Sequence, residues 1–291
     1  MARSSGVPEN SPHSGLFLLA DSDHDPSTTA LVRLGRLFTG VSLLAIGIQH
    51  FLYSGFIPDL GLVPHWAPAH TLCAWIAGAI LLIAGISILT AKFARPISTF
   101  LGFVFLLSAF LRFTAHIPGM IHNIGDRGVF FELLACCAGS WMLASTFPPS
   151  SRLPLISDAR TARLATPRLA TLARWLFGIA FVVFGSLHIQ APNWIAPIIP
   201  TWIPFHLFFA WFTGCALVAA GLSIAAHIWM RLSATLLGLM LFSWVVIVHA
   251  PRIAHALHNA DEWNSGYVCL MMAGFALIAA SLAASSSPEN S

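Results

Sequence analysis

The sequence carries little charge. Only 9% of its 291 residues are Asp, Glu, Lys or Arg, whereas a soluble domain usually carries about 25%. The motifs of common soluble enzymes are also missing, since there is no Walker loop, no G-x-G-x-x-G, no G-x-S-x-G and no H-E-x-x-H. The one basic cluster is a short stretch between apolar segments. These absences exclude an ordinary soluble domain and leave no basis for nucleic-acid binding.

The cysteines form no dithiol redox motif, because no C-x-x-C pair occurs among them. All five fall within long apolar stretches, where a buried thiol behaves as a small apolar residue. They are Cys73, Cys136, Cys137, Cys215 and Cys269. We therefore expect packing roles for them.

Apolar residues dominate the chain instead. They make up 57% of it, and the mean hydropathy is +0.80. A helix needs about 17 to 25 apolar residues to cross a bilayer. Eight stretches are long enough, at 31–52, 70–91, 97–117, 129–147, 171–190, 206–227, 232–250 and 266–284. The predicted fold class is all-α, a polytopic membrane protein with eight transmembrane helices.

The basic residues predict the orientation in the membrane, since Lys and Arg accumulate in cytoplasmic loops. With the amino terminus inside, eleven of them are cytoplasmic, Arg127 and Arg252 lie outside, and Arg112 falls within a helix. We expect a multi-pass protein of the cell inner (plasma) membrane with both termini cytoplasmic. The segments outside the spans are a disordered cytoplasmic tail at 1–30, a cytoplasmic linker at 148–170 and a C-terminal tail at 285–291.

A tandem repeat is visible in the sequence. A shift of 138 positions aligns Arg36, Gly40, Gly47 and His50 with Arg174, Gly178, Gly185 and His188. A shift of 136 extends the match through the second helix, whereas His116 matches His249 only at 133, so one turn is lost or gained in the third helix. Four helices per unit make the repeats parallel. We expect two four-helix bundles side by side, at 31–147 and 171–284.

Four short features recur in both halves. They are an arginine opening the first helix, G-x-x-H closing it, a P-x-W-x-P loop, and a second helix rich in small residues. This arrangement resembles the DoxX/DoxD-like integral membrane proteins, which are typically single four-helix units, so the chain resembles two fused copies. The resemblance implies a link to quinone-dependent redox chemistry, because the family takes its name from a subunit of a thiosulfate:quinone oxidoreductase. It implies no agreed set of catalytic residues.

Histidine is the residue most indicative of a site. Ten of the thirteen lie at outer helix ends or in outer loops. Three recur in both halves, closing helix one, opening helix two and closing helix three: His50/His188, His70/His206 and His116/His249. Because these ends share one depth in a bundle, three imidazoles per unit are predicted to converge at an outer mouth. Neutral imidazole binds zinc, copper, iron or haem, and it also hydrogen-bonds to a quinone.

The same histidines also suit a purely interfacial role. Histidine has an apolar body and a polar tip that fit the membrane interface, and Trp66 and Trp202 lie at the same level, as in an aromatic belt. We keep both tryptophans as ligand-binding candidates. One spacing weakly favours metal binding, His255-x-x-His258 in the last outer loop. A bound haem would use histidines that lie deeper in the span. Quinone therefore ranks above haem or metal as the expected cofactor.

Two charges fall within predicted spans of the first half. Arg112 lies in helix three and Glu132 in helix four, at similar depth, and such groups normally face the protein interior with a partner. The second half has no arginine in helix three and has Val268 at the position aligned with Glu132. We predict an Arg112–Glu132 ion pair facing the first bundle's cavity. It is either a structural link between two helices or a group that binds an anion or relays protons.

The functional hypothesis that follows is an accessory or catalytic subunit in quinone-linked redox chemistry, with ligand pockets at the outer face. Whether the chain is itself an enzyme stays open. We expect the first unit's pocket, with His50, His70 and His116, to be the functional one. The expected partners are the lipid bilayer, a membrane or periplasmic redox protein and, in a homo-oligomer, a second copy of the chain. The alternatives are a non-enzymatic scaffold for a partner complex and, ranked last, a small-solute transporter.

Overall fold

The computed structural model describes residues 26–53, 69–115, 117–148 and 159–284. Within these ranges all regular structure is helical. Eight of the helices are long and apolar enough to cross a membrane. The prediction of an all-α polytopic membrane protein with eight spans is confirmed.

Five helices form the first half of the chain: α1 (Pro26–Leu52), α2 (His70–Thr90), α3 (Ala94–Ala115), the short α4 (Ile117–His122) and α5 (Ile124–Ser145). The second half contains α6 (Ala159–Gln190), the short α7 (Pro192–Ile195) with a 3-10 turn (Ala196–Ile198), α8 (His206–Ala226), α9 (Met230–Trp244), a π-helical turn (Val245–His249), α10 (Ala250–His255) and α11 (Ala260–Ala284). The helices α9 and α10 and the π turn between them make one membrane-spanning segment.

The first two long helices of each half cross at glycines. A methyl group added at Gly47 would lie 3.0 Å from the Gly78 carbonyl oxygen, and one at Gly185 would lie closer still to that of Gly214. Where no hydrophobic effect drives helix association, such small residues let the backbones approach closely. The same contact recurs further along both pairs of helices, between Gly40 and Gly85 and between Gly178 and Gly221. All four pairs lie at positions that the predicted repeat aligns.

The two halves of the chain pack against one another through their first and last long helices. Helix α5 packs on α6, and α11 packs on α1. At the second crossing a methyl group on Gly35 would lie 2.8 Å from the Gly274 carbonyl oxygen. Helices α5 and α11 also meet, where the buried Phe275 ring lies over Gly139. Each half therefore depends on the other to cover one face of its last helix. The sequence repeat that relates the two halves stays a prediction.

All neighbouring long helices in sequence run antiparallel. We call the end where α1 and α6 finish and α5 and α11 begin the distal end; it corresponds to the predicted outer side. Asn123 caps α5 there, since its side-chain oxygen accepts hydrogen bonds from the backbone amides of Gly125 at 2.8 Å and Asp126 at 3.4 Å. This cap satisfies amide groups that the first turn of a helix otherwise leaves without partners.

The π-helical turn at Val245–His249 lies where the spacing of the predicted repeat changes from 136 to 133. A π turn holds more residues than an α turn and is often found at functional sites. The wider turn rotates the residues that follow it about the helix axis. It therefore offsets part of the rotation that a different number of residues in this helix would cause. It also sets the direction in which His249 leaves the helix.

Candidate ligand cavity

A cavity of about 250 Å³ lies among α6, α8, α9 and α11, towards the distal end. Its wall is mostly apolar and aromatic, with Phe181, Phe184, Leu217, Leu241, Trp244, Val268, Cys269 and Met272. Polar groups interrupt that wall at Glu132, His188, His249, Asn264 and Ser265. Glu132 comes from α5, so residues of both halves of the chain line the cavity.

His188 is held in one orientation by its own helix. Its ring Nδ1 lies 2.8 Å from the Phe184 carbonyl oxygen, one turn earlier in α6. A carbonyl oxygen only accepts, so Nδ1 carries the hydrogen. In the neutral ring Nε2 is then a hydrogen-bond acceptor. The indole of Trp244 stacks on the imidazole with ring centres 6.1 Å apart and planes 21° apart, which fixes the ring further.

His249 belongs to the π-helical turn that follows α9, and it lines the cavity from that side. Helix α11 approaches it closely, because Gly266 has no side chain: a methyl group there would lie 3.4 Å from the His249 Cβ. Its Nδ1 is buried and has no hydrogen-bond partner among the residues that the structure describes. The two histidines His188 and His249 therefore line one cavity, without the third histidine, His206, that was predicted to join them.

Asn264 is the most deeply buried polar residue of the cavity, with 1% of its surface exposed. Its side-chain oxygen has no hydrogen-bond partner in the described part of the chain. Leaving a buried polar group without a partner costs about 1–3 kcal/mol, so such a group in a native fold calls for an explanation.

The predicted Arg112–Glu132 ion pair is wrong. Arg112 instead donates to Asp126, near the start of α5, at 2.8 Å. The second half has an ion pair of its own, because Arg252 donates to both carboxylate oxygens of Glu262, at 2.8 and 2.7 Å. Asp126 and Glu262 are themselves 136 positions apart, the shift of the predicted repeat. Glu132 is left to line the cavity.

Of the remaining predicted histidines, those that the structure describes do not line the cavity. His206 donates its Nε2 hydrogen to the Pro200 carbonyl oxygen at 3.1 Å and does not line the cavity. His50 is fully buried and bonds through Nδ1 to the Ile46 carbonyl oxygen at 2.8 Å, as His188 does to Phe184. His70 opens α2, and His116 lies outside the described residues. This cavity lies among helices of the second half, and the pocket expected in the first unit, whose outer connection lies outside the described residues, stays a prediction.

The other candidates lie at the surface or outside the described residues. Trp202 is 70% exposed, as an interfacial side chain would be, and Trp66 lies outside the residues described. His255 and His258 are both exposed. Among residues 26–53, 69–115, 117–148 and 159–284 there is no group of three or more His, Cys, Asp or Glu side chains placed to hold a metal ion.

No protein-family model, no curated protein and no solved structure matches this chain. Its function therefore has to be inferred from its own residues, and the DoxX-like family stays a prediction.

Proposed function

We propose that this protein is an integral membrane component of quinone-linked redox chemistry and that it binds a quinone-class ring in the cavity. The observation that carries the proposal is the composition of that cavity. Two histidines and a buried asparagine lie among Phe181, Phe184 and Trp244. An apolar pocket with a few converging polar groups is the usual form of a small-molecule site. Flat aromatic walls suit a flat ring, and imidazole and amide groups suit its oxygens.

The size of the cavity favours a single ring. Its volume is about 250 Å³, below the range of roughly 300–1,000 Å³ found for sites of drug-sized ligands. A substituted quinone ring fits this space with its tail outside, whereas a haem macrocycle is too large. Size therefore supports the order of cofactors predicted from the sequence.

The distribution of charge supports the proposed orientation, with both termini cytoplasmic and the cavity nearer the outer side of the inner membrane. The described carboxylates lie towards the distal end, at Asp126, Glu132, Asp261 and Glu262. The described cations of the opposite end are Arg33, Arg36, Lys92, Arg95, Arg168, Arg174 and Arg231. Such a basic end is typical of the cytoplasmic side. The scaffold and transporter alternatives stay predictions.

The direct test is ligand binding by the purified full chain. A short-tailed quinone added at a hundred times its dissociation constant should stabilise the fold by about 2.7 kcal/mol, seen as a rise in the melting temperature. Organic extraction of the purified protein should also release quinone. His249→Phe and Asn264→Leu should each remove most of the stabilisation, because each removes a side chain of the cavity wall that can donate a hydrogen bond to a quinone oxygen.

The matched control is His206→Ala, in the same half of the chain but outside the cavity. It should leave the quinone effect unchanged. No stabilisation of the wild-type protein, together with no extractable quinone, would refute the proposal. An equal loss in all three variants would assign the effect to general destabilisation.

A further inference from the structure

We infer that two tight turns at the basic end of the bundle, opposite the distal end, bind the headgroups of anionic phospholipids. The inference is independent of the cavity and of its ligand. The turns are residues 91–93, between α2 and α3, and residues 227–229, between α8 and α9. We call them the aromatic turns, because each ends in an aromatic residue, Phe93 or Trp229. Corresponding residues of the two turns lie 136 positions apart.

Each aromatic turn contains two residues with a left-handed backbone. The values of φ are 56° and 55° at Ala91 and Phe93, and 62° and 50° at His227 and Trp229. This conformation is rare for a bulky residue, whereas glycine adopts it freely. The last position of each turn is therefore not filled by the residue that the turn geometry favours.

Phe93 and Trp229 also occupy a capping position that their side chains cannot use. The Ile97 amide donates to the Phe93 carbonyl oxygen at 3.2 Å, and the Ser233 amide donates to that of Trp229 at 3.0 Å. Each aromatic residue is thus the last one before a helix, where the side-chain oxygen of Ser, Thr, Asp or Asn would accept from a free amide. A phenyl ring has no such oxygen, and an indole nitrogen only donates.

Contacts within the protein do not offset these local costs. Phe93 is 60% exposed and Trp229 is 80% exposed, whereas the residues that follow them, Ala94 and Met230, are buried. Each turn therefore combines an unfavourable backbone, a missing cap and an exposed aromatic ring. Aromatic rings at the ends of membrane-spanning helices lie at the level of the lipid headgroups. Contact with lipid is the interaction that explains the choice of residue.

The charge around the turns determines which lipid suits them. Lys92 lies within the first turn, and Arg95 follows it two residues after Phe93; Arg231 has the equivalent position in the second half. Arg231 donates to the hydroxyl of Ser27, a neutral group, so its charge is not cancelled. The carboxylates that the structure describes lie towards the distal end. Guanidinium and ammonium groups bind phosphate oxygens, and basic residues next to a span attract anionic lipids.

The test uses brominated phospholipids, which quench tryptophan fluorescence on contact. The purified full chain is placed in phosphatidylcholine vesicles that contain a minor fraction of either brominated phosphatidylglycerol or brominated phosphatidylcholine. The difference between the wild-type protein and Trp229→Phe gives the contribution of Trp229. We expect it to show a preference of about fivefold for phosphatidylglycerol, the effect of one basic residue near an anionic surface. Arg231→Gln should remove most of this preference.

Trp202 provides the matched control, since it is 70% exposed at the distal end and no Lys or Arg occurs between residues 192 and 212. Its contribution, measured with Trp202→Phe, should show no preference. An equal preference at both tryptophans, or none at Trp229, would overturn the inference. Quenching of Trp229 by neither lipid would also overturn it and would favour a soluble acidic partner. Loss of the preference on addition of glycerol phosphate would assign the turn to a free anion instead.

Thermal unfolding gives a second readout. Trp229→Gly relieves the left-handed backbone, so it should raise the melting temperature in lipid-free non-ionic detergent. The same variant should lose most of the further rise that phosphatidylglycerol gives the wild-type protein. A lower melting temperature in lipid-free detergent would show that the ring stabilises the fold itself, and it would overturn the inference.

Discussion

The ion pair at the distal end of the first half allows a quantitative test of the structure against the sequence-based prediction. Arg112 donates to Asp126 at 2.8 Å, and the two side chains are only 18% and 14% exposed. Removing one partner of a buried pair costs about 3–5 kcal/mol, because the other charge is left uncompensated. Since this pair keeps some exposure, we expect Asp126→Ala to cost about 2–3 kcal/mol, near or below the lower end of that range.

The decisive quantity is the coupling energy in a double-mutant cycle. Arg112→Ala combined with Asp126→Ala should show a coupling of about 1–3 kcal/mol, as residues in direct contact do. Arg112→Ala combined with Glu132→Ala should be additive within about 0.5 kcal/mol. The more exposed pair in the second half, Arg252 and Glu262 with 41% and 19% exposure, should couple by no more than about 1 kcal/mol.

Unfolding in detergent can be followed with a thiol-reactive fluorophore. Cys136 and Cys137 are fully buried, so they react only when the bundle opens, whereas the exposed Cys215 gives a constant background. A coupling of Arg112 to Glu132 that exceeds its coupling to Asp126 would refute this arrangement of side chains.

Three further predictions use the same unfolding measurement. A methyl group at Gly185 would overlap the Gly214 carbonyl oxygen, so Gly185→Ala should destabilise the fold by about 1–3 kcal/mol. Its control is Gly128→Ala, where the nearest atom is 3.9 Å away and the gain in helix propensity should leave stability unchanged or raise it by up to about 1 kcal/mol; equal losses at both sites would contradict the close crossing. Asn123→Ala removes the cap of α5 and should cost about 1 kcal/mol, while Asn123→Ser should restore most of it. Ala91, at the end of α2, has a positive φ of 56°, so Ala91→Gly should raise stability by about 1 kcal/mol, and a loss would contradict the left-handed conformation of this cap.

The number and type of the long helices could be predicted from the sequence, because an apolar run of bilayer length has few alternatives to a helix. The distal ends of α1, α2, α6 and α8 could be predicted as well, since they coincide with the predicted bounds 52, 70, 190 and 206. The starts of α5 and α11 could not. The predicted fourth and eighth spans start at 129 and 266, whereas α5 and α11 begin at Ile124 and Ala260. The residues between include the charged Asp126, Arg127, Asp261 and Glu262, so hydropathy starts the predicted spans too late, whereas capping by Asn123 lets α5 begin at Ile124.

That boundary error explains the errors at the candidate site. Asp126, Glu262 and Asn264 lie in the first two turns of α5 and α11, which the predicted spans leave out. The sequence-based prediction therefore pairs Arg112 with Glu132 and places Asn264 outside the helices. His188 and His249 were found because they recur in both halves, a signal that Trp244 and Asn264 do not give. A polar residue within one turn of a predicted span is the signal that could have located Asn264.

The position of Glu132 has a consequence for how the amino-acid sequence can evolve. A homodimer of single four-helix units would have to place the same residue at both symmetry-related positions. In the predicted repeat the two positions are separate in one polypeptide, and they hold Glu132 and, 136 residues later, Val268. Both residues line the same cavity, one acidic and one apolar. A covalent fusion lets one copy of a residue specialise while the other is free to lose its charge, which no symmetric pair of identical subunits can achieve.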